Sequence, residues 1–252
     1  MDKFLADRIQ LTVDNYRLVK EELRNDGDII NHFASLIFSH YEREIPIYRV
    51  KEIRKNIKLN TTRISPFRGD TLNILSLLIA TVDKEEEEEL IQDIYDIMEL
   101  LEGEGFTSGS YLVLTAFTIS KYTKLKDKKE IINKIKELYI ILKEKYYDIT
   151  NEDDYLLCTL WVINNIHAET VDDFIENIFN HIADSHISSK NGVQALANSI
   201  ILNGSSGEMY RSMEFIQQLQ KRNIKIANQF LPLIGVLSNY NPRRNADAID
   251  RK

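Results

Sequence analysis

Twelve residues, GSYLVLTAFTIS from Gly109 to Ser120, open on small polar groups and turn apolar over three helical turns. The same change of character occurs in GDTLNILSLLIA from Gly69, DDYLLCTLWVIN from Asp153, NGVQALANSIIL from Asn191 and NQFLPLIGVLSN from Asn228. Their starts lie 40, 44, 38 and 37 residues apart. A second series runs between them. Leu90, Ile94, Ile97 and Leu101 follow steps of +4, +3, +4, which places them on one stripe of a helix. Ile131, Ile135, Leu138 and Leu142 repeat those steps, as do Val171, Ile175, Ile178 and Ile182. Met209, Met213 and Ile216 continue the pattern until Gln220 breaks it. These stripes start 41, 40 and 38 residues apart. Two interleaved series with one period define a two-helix unit of roughly forty residues, within the size range of helical repeats.

The expected fold class is therefore all-α: a right-handed stack of antiparallel helix hairpins, solenoid-like, with an N-terminal helical cap. The first helix of each pair is apolar nearly all round and is expected to form an inner layer. The second carries charge, as in KEEEEEL and KDKKEIINKIKEL, on an outer face. Residues 1–64 supply three further amphipathic segments and read as the cap that the end of a stack requires. Residues 65–240 read as hairpin repeats continuous with that cap, and 241–252 as a polar tail. The fifth first-type helix, Asn228–Tyr240, has no outer partner, so the array is expected to end unpaired, leaving a surface through which two chains could form a homodimer.

Composition agrees. Nine glycines and four prolines in 252 residues are too few for many turns. A net charge of −7 counts against general affinity for nucleic acid. The single Cys158 excludes an intramolecular disulfide and lies in the apolar run YLLCTLW, so it reads as a buried small hydrophobe. No apolar run approaches the length of a bilayer span, and the N-terminus MDKFLADRIQ has no signal-peptide core, which points to a cytoplasmic protein without membrane contact.

Chemical motifs are sparse. TSGSY, Thr107–Tyr111, is not a phosphate loop: G-x-x-x-x-G-K-[ST] is absent and no strand precedes it. It reads as a helix start, with Ser and Thr suited to capping, and Asp70 in FRGD reads the same way. His181 and His186, five apart, fall on different sides of a helix, and the five histidines form no metal set. No cofactor and no catalytic residue is called.

Two binding candidates remain. Stacked units would align the starts of the inner helices along one rim, where free N–H groups and positive dipole ends face one way. Arg63, Arg68, Ser108, Ser110, Tyr111, Lys190 and Gln194 lie near it. Asp153 and Asp154 on the same edge oppose an anion there. The alternative is ordinary capping and solvation. Separately, Arg43–Arg68 carries a local net charge of +6 in an acidic chain, and Lys51, Arg54, Lys55 and Lys58 share a helix face. That face reads either as a solvated surface paired with the acidic helix from Glu85, or as a patch for nucleic acid or an acidic partner. Only Tyr48 interleaves it, which leaves base stacking poorly supported.

SPFRGD at Ser65–Asp70, TSGSYLVLTAF at Thr107–Phe117, GVQALANSIILNGSSGEMYRSMEF at Gly192–Phe215 and FLPLIGVLS at Phe230–Ser238 together resemble an all-helical family of cytoplasmic bacterial proteins known only as a domain of unknown function. The resemblance implies no activity to carry over, and it implies members longer at the C-terminus than this chain. Three functions stay open: a non-enzymatic scaffold for a protein or peptide, an enzymatic or small-molecule-binding α/α toroid, and a nucleic-acid-associated protein using residues 43–68.

Overall fold

A computed structural model of the chain describes residues 3–123, 127–182, 190–203 and 206–237, and among them every regular element is helical. The tail at 241–252, together with His186, lies outside the described residues. The chain divides into two compact units, residues 1–132 and 133–252.

In the first unit α1 (Lys3–Glu22), α2 (Asp28–His40) and α3 (Ile47–Asn60) precede α4 (Asp70–Ile79), α5 (Glu87–Gly103), α6 (Ser110–Tyr122) and the start of α7 (Lys128–Lys145). α4 packs against α2, α3, α5 and α6. That central place explains its composition: Leu72, Leu75, Leu77 and Ile79 are all buried on a ten-residue helix. α6 buries eight of its thirteen residues for the same reason. The stripe Leu90, Ile94, Ile97 and Leu101 of α5 is buried to the last residue. Each such side chain removed from water contributes about 1.5–3 kcal/mol before the entropy of ordering is subtracted.

Asn15 fixes α1 in place. Its Nδ2 donates to the Arg43 carbonyl at 3.0 Å, and its Oδ1 accepts the Ile45 N–H at 3.1 Å. A buried amide thus satisfies two backbone groups of the α2–α3 connection.

In the second unit the rest of α7 is followed by α8 (Asp154–Ile163), α9 (Ala168–Ile182), α10 (Lys190–Asn203), α11 (Ser206–Lys221) and α12 (Leu231–Leu237). Ile135, Leu138 and Leu142 on α7 are buried, as are Val171, Ile175 and Ile178 on α9. α10 packs against α8, α9, α11 and α12. Its approach to α12 depends on two glycines. A Cβ on Gly192 would stand 2.9 Å from Leu231 Cδ1, and one on Gly235 only 2.0 Å from Ser199 Oγ. α12 has seven residues and follows the single turn Asn228–Phe230.

Four helices end in one motif. Glu42, Gly105, Asn165 and Asn223 have positive φ after α2, α5, α8 and α11. In each case the next N–H bonds the carbonyl five residues back: Arg43 to Phe38, Phe106 to Leu101, Ile166 to Trp161, Ile224 to Leu219. This is a Schellman closure, and Gly and Asn are the residues that enter the left-handed region most easily.

Candidate functional site

The rim residues divide between the two units. In the first, Arg63 is exposed in the α3–α4 connection. Arg68 is already occupied: Nε donates to the Thr62 carbonyl at 2.9 Å, and Nη2 to the carbonyls of Lys58, at 2.8 Å, and Thr61. A cation capping the C-terminal carbonyls of α3 suits the negative end of that helix. Beside it Phe67 meets the Tyr95 ring edge-on at 5.1 Å, and burial pushes the Tyr95 phenol above its ordinary range against the opposing charge of Arg68.

Ser108, Ser110 and Tyr111 are exposed at the start of α6. The capping expectation fails here, because the N-cap residue is Gly109, which has no side chain to offer. It fails at α4 too, where Gly69 takes the N-cap with φ 61° and Asp70 is the first helical residue. Neither start uses a capping hydroxyl or carboxylate, and only Gly69 takes a positive φ that a glycine enters without strain.

In the second unit Lys190 opens α10 and pairs at the surface with Asp148, Nζ to Oδ2 2.7 Å. That contact raises the lysine and lowers the carboxyl from their ordinary values. Gln194 is buried one turn on, and its Nε2 lacks a hydrogen-bond acceptor. Asp154 at the head of α8 is only 9 % exposed. Desolvation lifts its carboxyl to about 6, although Oδ2 accepts the Asn151 N–H at 3.0 Å and Lys143 opposes the shift. One turn on, Cys158 is fully buried and its thiol is pushed well above the usual range, first by desolvation and then by Asp154. A thiol held neutral in this way is a packing group, not a nucleophile.

The basic segment is more informative. Lys51, Arg54, Lys55 and Lys58 of α3 line one open cleft of about 490 Å³, facing the C-terminal end of α1 and the turn Arg24–Asp26. Two of the four have internal partners. Lys51 Nζ meets Glu22 Oε2 at 2.7 Å. Arg54 grips Asp26 with both ends of its guanidinium and donates Nε to Ser76 Oγ at 2.9 Å. Pairing with the acidic segment from Glu85 is made by Arg49, to Glu87 at 2.6 Å, rather than by these four. Arg24, Lys55 and Lys58 have no carboxylate partner among the described residues. Arg24 went unnoticed in the sequence because it sits in a turn, outside any helical face. The only signal available was a single basic residue set among the acids Glu21, Glu22 and Asp26.

A second concavity, about 550 Å³, lies in the second unit where α11 hands over to α12. Ile216, Ile224, Ile226 and Leu231 supply apolar walls, while Gln220, Asn223 and Lys225 are polar. Ile224 is held by the Schellman closure of α11, so the wall is preorganised by backbone hydrogen bonds. In the chain that follows, outside the lining, Phe230, Leu233 and Val236 are 49, 54 and 50 % exposed. No sequence pattern marks this groove, since it forms between a helix end and a turn that follow different periods.

Among the described residues no group of three or more His, Cys, Asp or Glu is placed to hold a metal ion, and no helix is long and apolar enough to cross a membrane. The family described as protein of unknown function, DUF4003, matches the chain over residues 15–250. The chain belongs to that family. No curated protein and no solved structure matches it.

Proposed function

We propose that this DUF4003 protein is a non-enzymatic, cytoplasmic bacterial scaffold, built from stacked helix hairpins, that binds an extended peptide or protein segment. The observation that carries the reading is the α11–α12 groove, walled by Ile216, Ile224, Ile226 and Leu231 and edged by Gln220, Asn223 and Lys225. Apolar walls with a polar edge are what a peptide anchor requires. Recurring contacts between first-type helices support the stacked arrangement within each unit: α4 touches α6, and α10 touches both α8 and α12.

Binding would draw on burial of apolar partner side chains against Ile224, Ile226 and Leu231, with Lys225 at the edge selecting against a basic segment. Of the rim residues, Lys190 is best placed to orient an acidic partner. Its hold on Asp148 is a surface contact that a better carboxylate displaces easily. Arg68 and Gln194 are ill suited, one engaged by three carbonyls and the other buried.

The test is affinity purification of the tagged full chain from its native cell, compared by quantitative mass spectrometry with Ile224→Glu. The scaffold reading expects a partner depleted at least tenfold by the substitution while the helical circular dichroism is retained. A partner set unchanged by Ile224→Glu removes the groove from the account. If the species lost is a second copy of this chain, the groove is a homodimer interface instead.

A further inference from the structure

We infer that the cleft between the end of α1 and α3 is a binding site for a compact, soluble polyphosphate or multiply phosphorylated metabolite, independent of the α11–α12 groove. Its walls carry five cations, Arg24, Lys51, Arg54, Lys55 and Lys58, in a chain whose net charge is −7. Internal pairing divides them into two sets. Glu22 and Asp26 neutralise Lys51 and Arg54, and the Arg54 guanidinium is locked in place by Asp26 and Ser76. What remains facing the cleft is Arg24, Lys55 and Lys58, with Glu21 the one unengaged acid on its wall. The free residues therefore leave an excess of two positive charges on a concave surface.

This arrangement has a cost without a ligand. Lys55 and Lys58, neither paired with a carboxylate, are i,i+3 neighbours, and like charges at that spacing destabilise a helix. A multivalent anion seated among them converts that repulsion into charge-assisted hydrogen bonds. Arg24 adds a planar fork from the opposite wall, a geometry that accepts two phosphoryl oxygens at once.

The cleft also indicates which anion. No aromatic residue lines it, so nothing there stacks a base, and single-stranded nucleic acid finds no platform. Arg24, Lys55 and Lys58 share one pocket-sized depression, which suits a compact ligand better than a strand. A small ligand with two or more phosphate groups matches both the number of charges and the space. Arg54 and Lys51 then act as positioning residues that shape the walls, and Arg24, Lys55 and Lys58 as the groups that touch the ligand.

The experiment is isothermal titration of the full chain with inorganic pyrophosphate at low and at physiological salt, in parallel with a short oligonucleotide. The expected result is saturable pyrophosphate binding that weakens at least tenfold in Lys55→Ala/Lys58→Ala and in Arg24→Ala. The exposed control Lys129→Ala should leave it unchanged. Each variant's thermal unfolding is recorded, and binding is compared only between folded proteins. Absence of saturable pyrophosphate binding at low salt overturns the inference. So does an equal loss in Lys129→Ala, which would mark diffuse electrostatic attraction. Oligonucleotide binding without pyrophosphate binding also overturns it and assigns the surface to nucleic acid.

Discussion

Arg54 on α3 holds Asp26, in the turn after α1, through two parallel hydrogen bonds of 2.9 and 2.6 Å, with both side chains nearly withdrawn from water. Such a pair does little for net stability compared with an apolar pair of equal volume, yet breaking it strands a charge. Asp26→Asn is therefore expected to destabilise the first unit by about 3 kcal/mol. Removing both partners together, as Asp26→Leu/Arg54→Leu, should cost less than the sum of the single substitutions. Urea unfolding followed by circular dichroism gives the coupling energy; additivity would mean the two side chains do not depend on each other.

Arg68 makes a second prediction. Its guanidinium satisfies carbonyls at the C-terminus of α3, so Arg68→Ala should lower stability by about 2 kcal/mol. Arg68→Lys should recover little of this, because one ammonium cannot reproduce the planar fork. Full rescue by lysine would show that charge near the helix end suffices.

Gly235 tests the packing of the second unit. An alanine there meets Ser199 Cβ at 3.0 Å and Ile200 Cγ1 at 3.1 Å, so Gly235→Ala should destabilise by about 1–3 kcal/mol despite alanine's better helix propensity. Trp161, the only tryptophan, is fully buried in the same unit and reports the transition by fluorescence. A stabilised variant would show that the two helices can separate freely.

Asp154 supplies a pH dependence. Its folded pKa of about 6 stands above the ordinary 3.8, so between those values the folded state binds the extra proton. Stability from this group is thus fully present below about pH 4 and is lost as pH rises through 6, a change on the order of 2 kcal/mol. Asp154→Asn, which keeps an acceptor for the Asn151 N–H, should raise the midpoint relative to the parent at pH 7.5 and gain nothing at pH 4.5. Equal effects at both values would place the carboxyl in water.

Much of the architecture was legible because it rests on periodicity. Leu90, Ile94, Ile97 and Leu101 keep the 3.6-residue period over three turns, and all four are buried. The paired series likewise anticipated each helix from α4 to α12. Helix starts were less legible. Ser110 and Asp70 have capping chemistry, yet Gly109 and Gly69 take the cap position, since backbone conformation decides there and composition is a weak guide to it. The α1–α3 cleft was half legible: Lys51, Arg54, Lys55 and Lys58 share a helical face, but Arg24 and Asp26 reach it through a tertiary fold that no local pattern encodes. The α11–α12 groove was not legible at all, because Asn223 and Ile224 acquire their places from a chain reversal, not a repeat.

The central claim is that the α11–α12 groove engages a partner, and site-specific photocrosslinking in the native cell tests it most directly. A benzophenone side chain is introduced at Ile224 and, as a control, at exposed Lys129. The account predicts one discrete adduct from position 224, absent from position 129 and abolished by Ile226→Glu. No adduct at 224, or the same adducts at both positions, would contradict it.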